Sequence, residues 1–226
     1  VQIQGPLSED LMVDLVGEAV RKIPYYGLMH GTVAGVRVLV SQSGFTGEKG
    51  YEIYVIDASI HAETVWYAIC DAGKKYGLEI IAPAHHRRIA AGILSWGQDM
   101  DFETSPFQVN LGYQIPRKKA ADYIGREAYL AARAAGDPEV LLCILPVEDQ
   151  TDSQGRKRHM MGGNEPILTT DGGRITDSHG RVSRVTSAGY GPSVGRHLLM
   201  SYLPLELCTP GTDLQVMYMN ELFPVL

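Results

Sequence analysis

The helical pattern of the chain stops at Gly136-Asp137-Pro138, and this change constrains the fold more than any other feature of the sequence. After it come short β-type runs, among them residues 140–147 and 197–202, with glycine, proline, aspartate and serine between them. Before it, helix-like and strand-like segments alternate. We therefore predict an α+β domain over residues 1–136, followed by a small C-terminal β-barrel or sandwich over residues 137–226.

Within the first domain, apolar residues recur with helical spacing and β-branched residues cluster with strand spacing. The predicted helices cover residues 9–22, 58–76, 85–94 and 126–135, and the predicted strands cover residues 1–4, 32–41 and 51–56. The last two strands flank a loop that contains Gly44, Gly47 and Gly50. Because glycine permits positive φ angles and a close approach of the backbone to a ligand, this loop is a candidate binding element.

Charge and composition exclude several classes of protein. The chain has 20 Lys and Arg against 26 Asp and Glu, a net charge of −6, and its one basic run is Arg117-Lys118-Lys119, so we expect no nucleic-acid partner. No apolar stretch approaches the ~20 residues that cross a bilayer, so we expect no membrane partner. The three cysteines are widely spaced and form no CxxC pair, which favours reduced thiols in a cytoplasmic protein.

Two features of the sequence, a GxSxG match and seven histidines, could suggest catalytic chemistry, but neither has the partner residues that this chemistry needs. Residues 191–195 (GPSVG) match the nucleophile elbow of serine hydrolases, which needs an acid and then a histidine after the serine. Here the last histidine, His197, precedes Asp213 and Glu221, so the order fails. The seven histidines form no i, i+4 pair and have no cysteine at metal-ligand spacing. We therefore expect neither a serine hydrolase nor a metal site.

Glu48 and the Arg87-Arg88 pair are the charged residues that could bind a ligand. A carboxylate held in a glycine-rich bend accepts two parallel N–H bonds, the pattern on the 2-amino-4-oxo edge of a pterin or a guanine. The alternative is a solvated charge in a turn. The two arginines lie in a helical stretch that is otherwise apolar on that side, where one of them could meet an anionic tail or pair with a structural acid.

Five segments of the chain follow one another in a familiar order and spacing. They are Gln4-Gly5-Pro6 and residues 43–53 (SGFTGEKGYEI), 88–92 (RIAAG), 122–128 (DYIGREA) and 185–188 (VTSA). Together they resemble the glycine cleavage T-protein (aminomethyltransferase) family over essentially the whole chain. Within that family, residues 87–100 and 105–107 look closer to the tetrahydrofolate-dependent O- and S-demethylases. Residues 164–168 and 186–191 are similar to the folate domains of dimethylglycine and sarcosine dehydrogenases.

The resemblance implies a role for three residues. Glu48 would bind the pterin ring of tetrahydrofolate, Arg88 would lie near the folate, and Trp96 could line its pocket. Two departures lead away from the glycine substrate. Ala90 stands where the family usually has glutamate, and His85-His86 replace the residues that the glycine enzyme has before Arg88.

The family's catalytic carboxylate belongs to a segment that precedes Gln4-Gly5-Pro6. We therefore expect this chain, which starts at Val1 without a methionine, to be a fragment or subunit whose site is completed by an N-terminal segment or a partner chain. If the chain supplied the acid itself, the candidates would be Asp99, Asp101 and Glu103.

The predicted function is that of a tetrahydrofolate-dependent one-carbon transferase that demethylates a small methoxy, methylenedioxy or N-methyl donor. Two other enzyme interpretations are a folate-binding subunit of a dimethylglycine- or sarcosine-type flavin oxidoreductase, and a glycine cleavage aminomethyltransferase. A folate-binding scaffold, as in the iron–sulfur-maintenance relatives, would carry a cysteine-containing glycine motif. Cys70, Cys143 and Cys208 all lie outside glycine clusters.

Overall fold

The structure of the protein is a computed structural model, which describes residues 1–82, 85–116, 118–159 and 162–226. The chain divides into two compact units, Val1–Ala84 and His85–Leu226. Among the described residues, no helix combines the length and the apolar character that are needed to cross a lipid bilayer.

The first unit is a four-stranded antiparallel sheet with two helices. In chain order its elements are β1 (Gln2–Gln4), α1 (Ser8–Val16), β2 (Leu28–Val33), β3 (Val36–Ser41), β4 (Gly50–Val55) and α2 (Ala58–Gly73), and the strands lie in the order β1-β4-β3-β2. Strand side chains alternate between the two faces of a sheet, so Val36, Val38 and Val40 of β3 all enter the core. Met12 of α1 and Val65 of α2 are fully buried in the same core.

Two predicted elements of this unit are interrupted by residues with positive φ. The predicted helix over residues 9–22 is wrong in its interior, because Gly17 has a φ of 94° and ends α1, and a short 3₁₀ turn follows. The predicted strand over residues 32–41 is also wrong in its interior. Ala34 (φ 48°) and Gly35 (φ 81°) form a two-residue turn that reverses the chain between β2 and β3.

In its described residues, the second unit contains two α-helices and two three-stranded antiparallel sheets. Its elements are α3 (His85–Ala90), α4 (Arg126–Ala134), β5 (Val140–Pro146), β6 (Ile167–Thr169), β7 (Val185–Gly191), β8 (Arg196–Pro204), β9 (Leu214–Tyr218) and β10 (Glu221–Val225), with strand orders β5-β8-β7 and β10-β9-β6. One core cluster, which includes Leu199, Val216 and Phe223, takes side chains from both sheets. The α+β prediction is confirmed. The β-bridges Val147–Val225 and Pro166–Arg184 link the edges of the two sheets, β5 to β10 and β6 to β7, so the C-terminal strands surround one core as a barrel-type domain.

Helix α3 lies directly against β7. A Cβ on Gly189 of β7 would lie 2.7 Å from His86 Cα and 3.2 Å from Ile89 Cδ1, so the close contact requires glycine at this position. The compact unit of the C-terminal sheets therefore begins at His85. The predicted domain boundary at residue 137 stays a prediction, because a sequence domain and a compact unit need not coincide.

We expect Gly189→Ala to lower the free energy of unfolding by about 1–3 kcal/mol, because the new methyl group would push α3 away from β7. Gly163→Ala is the matched control, since nothing lies within 4 Å of its Cβ position and its φ is not positive. Urea denaturation of the two variants measures the difference. If alanine is tolerated equally well at both positions, the close packing of α3 is not a constraint.

Candidate functional site

The loop of residues 42–49 joins β3 to β4 and carries Glu48. Its last residue, Lys49, is held from two sides. The Lys49 carbonyl oxygen accepts a hydrogen bond from Gly5 N at 2.8 Å, and the Lys49 ammonium group lies 2.5 Å from Glu9 Oε2. The chain segment around the start of α1 therefore fixes the end of the loop.

Gln4, the last residue of β1, holds the middle of the loop. Its Nε2 donates to the carbonyl oxygen of Ser43 (3.2 Å), and its Oε1 accepts from Thr46 Oγ1 (2.8 Å). A Cβ on Gly44 would lie 2.1 Å from Gln4 Oε1, and one on Gly50 would lie 2.4 Å from Gln4 Nε2. Glycine at these two positions therefore leaves the space that the Gln4 amide occupies.

Thr46 connects Gln4 to Glu48. The Thr46 hydroxyl donates to Gln4 and accepts from the backbone N–H of Glu48 at 3.2 Å. Glu48 thus stands between two anchored residues, Thr46 and Lys49, and is exposed at the surface. An exposed carboxylate on an anchored backbone can bind a ligand at a smaller cost in conformational entropy than one on a loose backbone. The pterin contact of Glu48 stays a prediction.

Arg88 lies on α3 in the second unit, and none of its side chain is exposed. Each of the five N–H groups of a guanidinium can donate one hydrogen bond, and here each nitrogen has acceptors within the unit. The acceptors are Asp99 Oδ2 (2.7 Å) and the Ile93 carbonyl oxygen (3.0 Å) for Nη1, Ser187 Oγ (2.7 Å) and Gln98 Oε1 (3.1 Å) for Nη2, and His85 Nδ1 (3.2 Å) for Nε. Of the two alternatives from the sequence, the structure shows the pairing with an acid, Asp99. The placement of Arg88 near folate stays a prediction.

Asp99 ties the loop after α3 to two strands. Its Oδ1 accepts from Thr186 Oγ1 (2.7 Å) and Ser187 Oγ (2.5 Å) of β7, and its Oδ2 accepts from Ser95 N (2.9 Å). The Asp99 carbonyl oxygen accepts from the Tyr202 hydroxyl of β8 at 2.6 Å. Burial raises the pKa of Tyr202, so this hydroxyl keeps its proton and remains a donor at neutral pH.

Trp96 packs edge-on against Phe102, with ring centroids 5.0 Å apart, and is 57% exposed. The same loop borders a cavity of about 360 Å³, whose wall includes Asp101 and Glu103 and does not include Trp96. The role of Trp96 in a folate pocket stays a prediction.

Of the three acid candidates, Asp99 is buried, and Asp101 and Glu103 are exposed.

Sequence reasoning missed the bridge of Gln4 and Thr46 and the acceptors of Arg88 on β7. The role of Gln4 could have been predicted from the sequence, because a polar side chain at the end of a strand, directly before Gly5-Pro6, needs a hydrogen-bond partner. Ser187 carried none, since 99 residues separate it from Arg88. The described part of the chain contains no group of three or more His, Cys, Asp and Glu side chains placed to hold a metal ion.

Comparison with known proteins gives two family matches. The GCVT N-terminal domain matches residues 1–119, and the glycine cleavage T-protein C-terminal barrel domain matches residues 151–226.

Three similar proteins show how far the likeness extends. An aminomethyltransferase of Saccharopolyspora erythraea is 31% identical over 100% of this chain and 57% of its own length. The dimethylsulfoniopropionate demethylase DmdA of Ruegeria pomeroyi is 29% identical over 99% of this chain and 56% of its own. The crystal structure of glycine cleavage system aminomethyltransferase T from Bartonella henselae has the same fold, with a TM-score of 0.79 at 21% identity, over 99% of this chain and 56% of that one. The chain thus spans a little over half the length of these relatives.

We expect Arg88→Met to lower the free energy of unfolding by about 3–5 kcal/mol, because it leaves the Asp99 carboxylate buried without its charge partner. Lys74→Met is the matched control. This substitution breaks the ion pair between Lys74 and Asp71. The side chains of Lys74 and Asp71 are 77% and 71% exposed, so the stability should stay nearly unchanged. Urea denaturation followed by circular dichroism compares the two. Equal stability of both variants would show that the buried pair does not support the fold.

Proposed function

Because the chain belongs to the glycine cleavage T-protein family, we propose that it forms the folate-binding part of a tetrahydrofolate-dependent one-carbon transferase. The family membership agrees with the resemblance drawn from the sequence. The observation that carries the proposal is the loop of residues 42–49, which presents the Glu48 carboxylate between Thr46 and Lys49.

A carboxylate in this position suits the pterin ring of a folate. The 2-amino-4-oxo edge of the ring offers two parallel N–H donors, and the two carboxylate oxygens of Glu48 are the matching acceptors. The backbone before Glu48 is turned by Gly47, whose φ of 77° is a conformation that glycine adopts without strain. When bound, tetrahydrofolate supplies the nitrogen that receives the one-carbon unit.

The residues of this chain would bind and orient the ring. Glu48 holds the ring edge, while Gln4 and Thr46 hold the backbone on which Glu48 stands. One-carbon transfer requires the accepting nitrogen to lie about 3–3.5 Å from the donor carbon, so a ring anchored by a loose loop would react slowly. The hydrogen bonds of the loop therefore contribute to the transfer by fixing where Glu48 holds the ring.

We assign the acid that protonates the leaving group to an N-terminal segment or a partner chain that completes the site. A general acid must reach the leaving group by a hydrogen bond or through one water. Asp99 does not meet this requirement, because its carboxylate is fully buried and paired with Arg88. Asp101 and Glu103 are the accessible alternatives within the chain.

For the donor we propose a small free molecule that carries a methoxy, methylenedioxy or N-methyl group. The support is the departure from the glycine system at Ala90 and His85-His86, together with a relative named as a demethylase. An aminomethylated lipoyl carrier would require a complementary docking face. Lys118 and Lys119 make a short basic run, and Arg117 before them lies outside the described residues. The cytoplasmic location stays a prediction.

A second candidate, aminomethyl transfer as in glycine cleavage, is favoured by relatives that bear the name aminomethyltransferase. The two candidates share the folate site and differ in the donor. A flavin cofactor or a partner oxidase would identify a third arrangement, the folate-binding subunit of a dimethylglycine- or sarcosine-type oxidoreductase.

We expect Glu48→Gln to weaken tetrahydrofolate binding by tens to hundreds of fold, because loss of the charge-assisted pair of hydrogen bonds costs on the order of 2–4 kcal/mol. Glu63→Gln makes the same charge change at an exposed position of α2 and should bind normally. Anaerobic titration calorimetry measures both affinities. Unchanged affinity of a folded Glu48→Gln protein would remove Glu48 from the folate site.

The donor is tested with the protein in its complete natural form and tetrahydrofolate. One reaction contains aryl methyl ethers and N-methylglycines, and the other contains an aminomethylated lipoyl carrier. We expect methylated or methylene-bearing folate to accumulate with the small donors. Product that appears with the carrier alone would overturn the choice of donor and favour aminomethyl transfer.

A further inference from the structure

Two cysteine thiols of the second unit lie side by side. Cys143 is in β5, and Cys208 follows the 3₁₀ turn Leu205–Leu207 that leaves β8. The two side chains interact with each other and pack against the same hydrophobic core. Both are free thiols in the structure, as the sequence predicts.

The register of β5 and β8 explains why the two thiols meet. Leu141 of β5 faces Leu203 of β8. The Cys143 thiol lies 3.6 Å from the carbonyl oxygen of Leu141, and the Cys208 thiol lies 3.5 Å from that of Leu203. Opposed residues of antiparallel strands are about 4.5–5.5 Å apart between Cα atoms, so both sulfurs lie over one pair of residues. Convergence of this kind is what a disulfide requires, because the Cα atoms of its two cysteines must lie within about 7 Å of each other.

The surroundings of the two thiols differ. Burial, together with the neighbouring Cys208 thiol, raises the pKa of Cys143 to about 12, so Cys143 stays protonated at neutral pH. Both thiols are partly buried, and Cys208 directly precedes the exposed residues Thr209 and Pro210. Because the thiolate is the nucleophile, and because a peroxide arrives from solvent, Cys208 is the sulfur that reacts first.

We propose that Cys143 and Cys208 are a reversible oxidation site, where an intramolecular disulfide forms when the folded protein meets hydrogen peroxide. The Cys208 thiolate attacks one peroxide oxygen, the O–O bond breaks and hydroxide leaves, which produces a sulfenic acid. The Cys143 sulfur then attacks the Cys208 sulfur, the S–O bond breaks, and the departing hydroxide takes the Cys143 proton as water. The two thiols together lose two electrons and two protons, and one hydrogen peroxide becomes two waters.

The disulfide would connect β5 to the chain between β8 and β9. It closes the long loop from residue 143 to residue 208 and thereby restricts the unfolded chain. The oxidised protein should therefore melt several degrees above the reduced protein. This effect is independent of the proposed folate site.

The test uses the full 226-residue chain with Cys70→Ser, so that Cys143 and Cys208 are the remaining thiols. The folded protein receives one equivalent of hydrogen peroxide, and its intact mass, free thiols and melting temperature are measured. We expect a monomer that has lost two hydrogen atoms and both free thiols, has the higher melting temperature, and is restored by dithiothreitol.

Two single variants in the same background assign the order of the steps. Cys143→Ser should stop at the sulfenic acid of Cys208, which dimedone traps, and Cys208→Ser should react much more slowly. The proposal fails if both thiols persist, if only dimers or sulfinic acids form, or if the disulfide appears only in urea. Circular dichroism of each variant confirms that the comparison is made on folded protein.

Discussion

A polar group that leaves water must find a hydrogen-bond partner inside the protein, and each unit of this chain is organised around one side chain that meets this requirement. In the first unit the Gln4 amide holds the loop of residues 42–49. In the second unit the Arg88 guanidinium holds the loop after α3 against β7. Among the described residues, Gln215 Oε1 is the only buried side-chain polar atom that lacks a partner.

The two networks serve different ends because their charges and positions differ. The Gln4 network is neutral, lies near the surface and leads through Thr46 to an exposed carboxylate. Its partners fix the backbone of an exposed residue, Glu48, which suits ligand binding. The Arg88 network is charged and fully buried, and its cost in desolvation is offset by the Asp99 carboxylate and its further donors. Every nitrogen of the Arg88 guanidinium donates to an acceptor within the unit, which suits a structural role.

Local patterns in the sequence predict much of the fold. The alternation in β3 and the loop with Gly44 and Gly50 are visible there, because strand periodicity and glycine placement act over a few residues. The helix end at Gly17 and the chain reversal at Ala34-Gly35 are not visible there, since the surrounding residues continue the helical or strand pattern and only the φ angles break it.

The candidate site could be predicted only in part. The sequence predicts Glu48 as a ligand-binding residue, a role that stays a prediction, and it leaves the partner of Arg88 open. Asp99 lies in a loop, and its hydrogen bonds to Thr186 and Ser187 connect residues that are far apart in the chain. Such pairings depend on how α3 packs on β7, which no local pattern encodes. The contacts of Gln4 with Ser43 and Thr46 were missed for the same reason, because these residues are far from Gln4 in the chain.

Gln4 should act on folate binding through Glu48, and a double-mutant cycle on tetrahydrofolate affinity measures this coupling. Gln4→Met removes the hydrogen bonds of the loop while it keeps the length of the side chain, and it is combined with Glu48→Gln. If Gln4 positions Glu48, the two substitutions should be coupled by about 1 kcal/mol or more, because Gln4→Met costs little once the carboxylate is gone. Effects of the two substitutions that add to within about 0.5 kcal/mol would show that Gln4 does not position Glu48 and would separate Gln4 from the folate site.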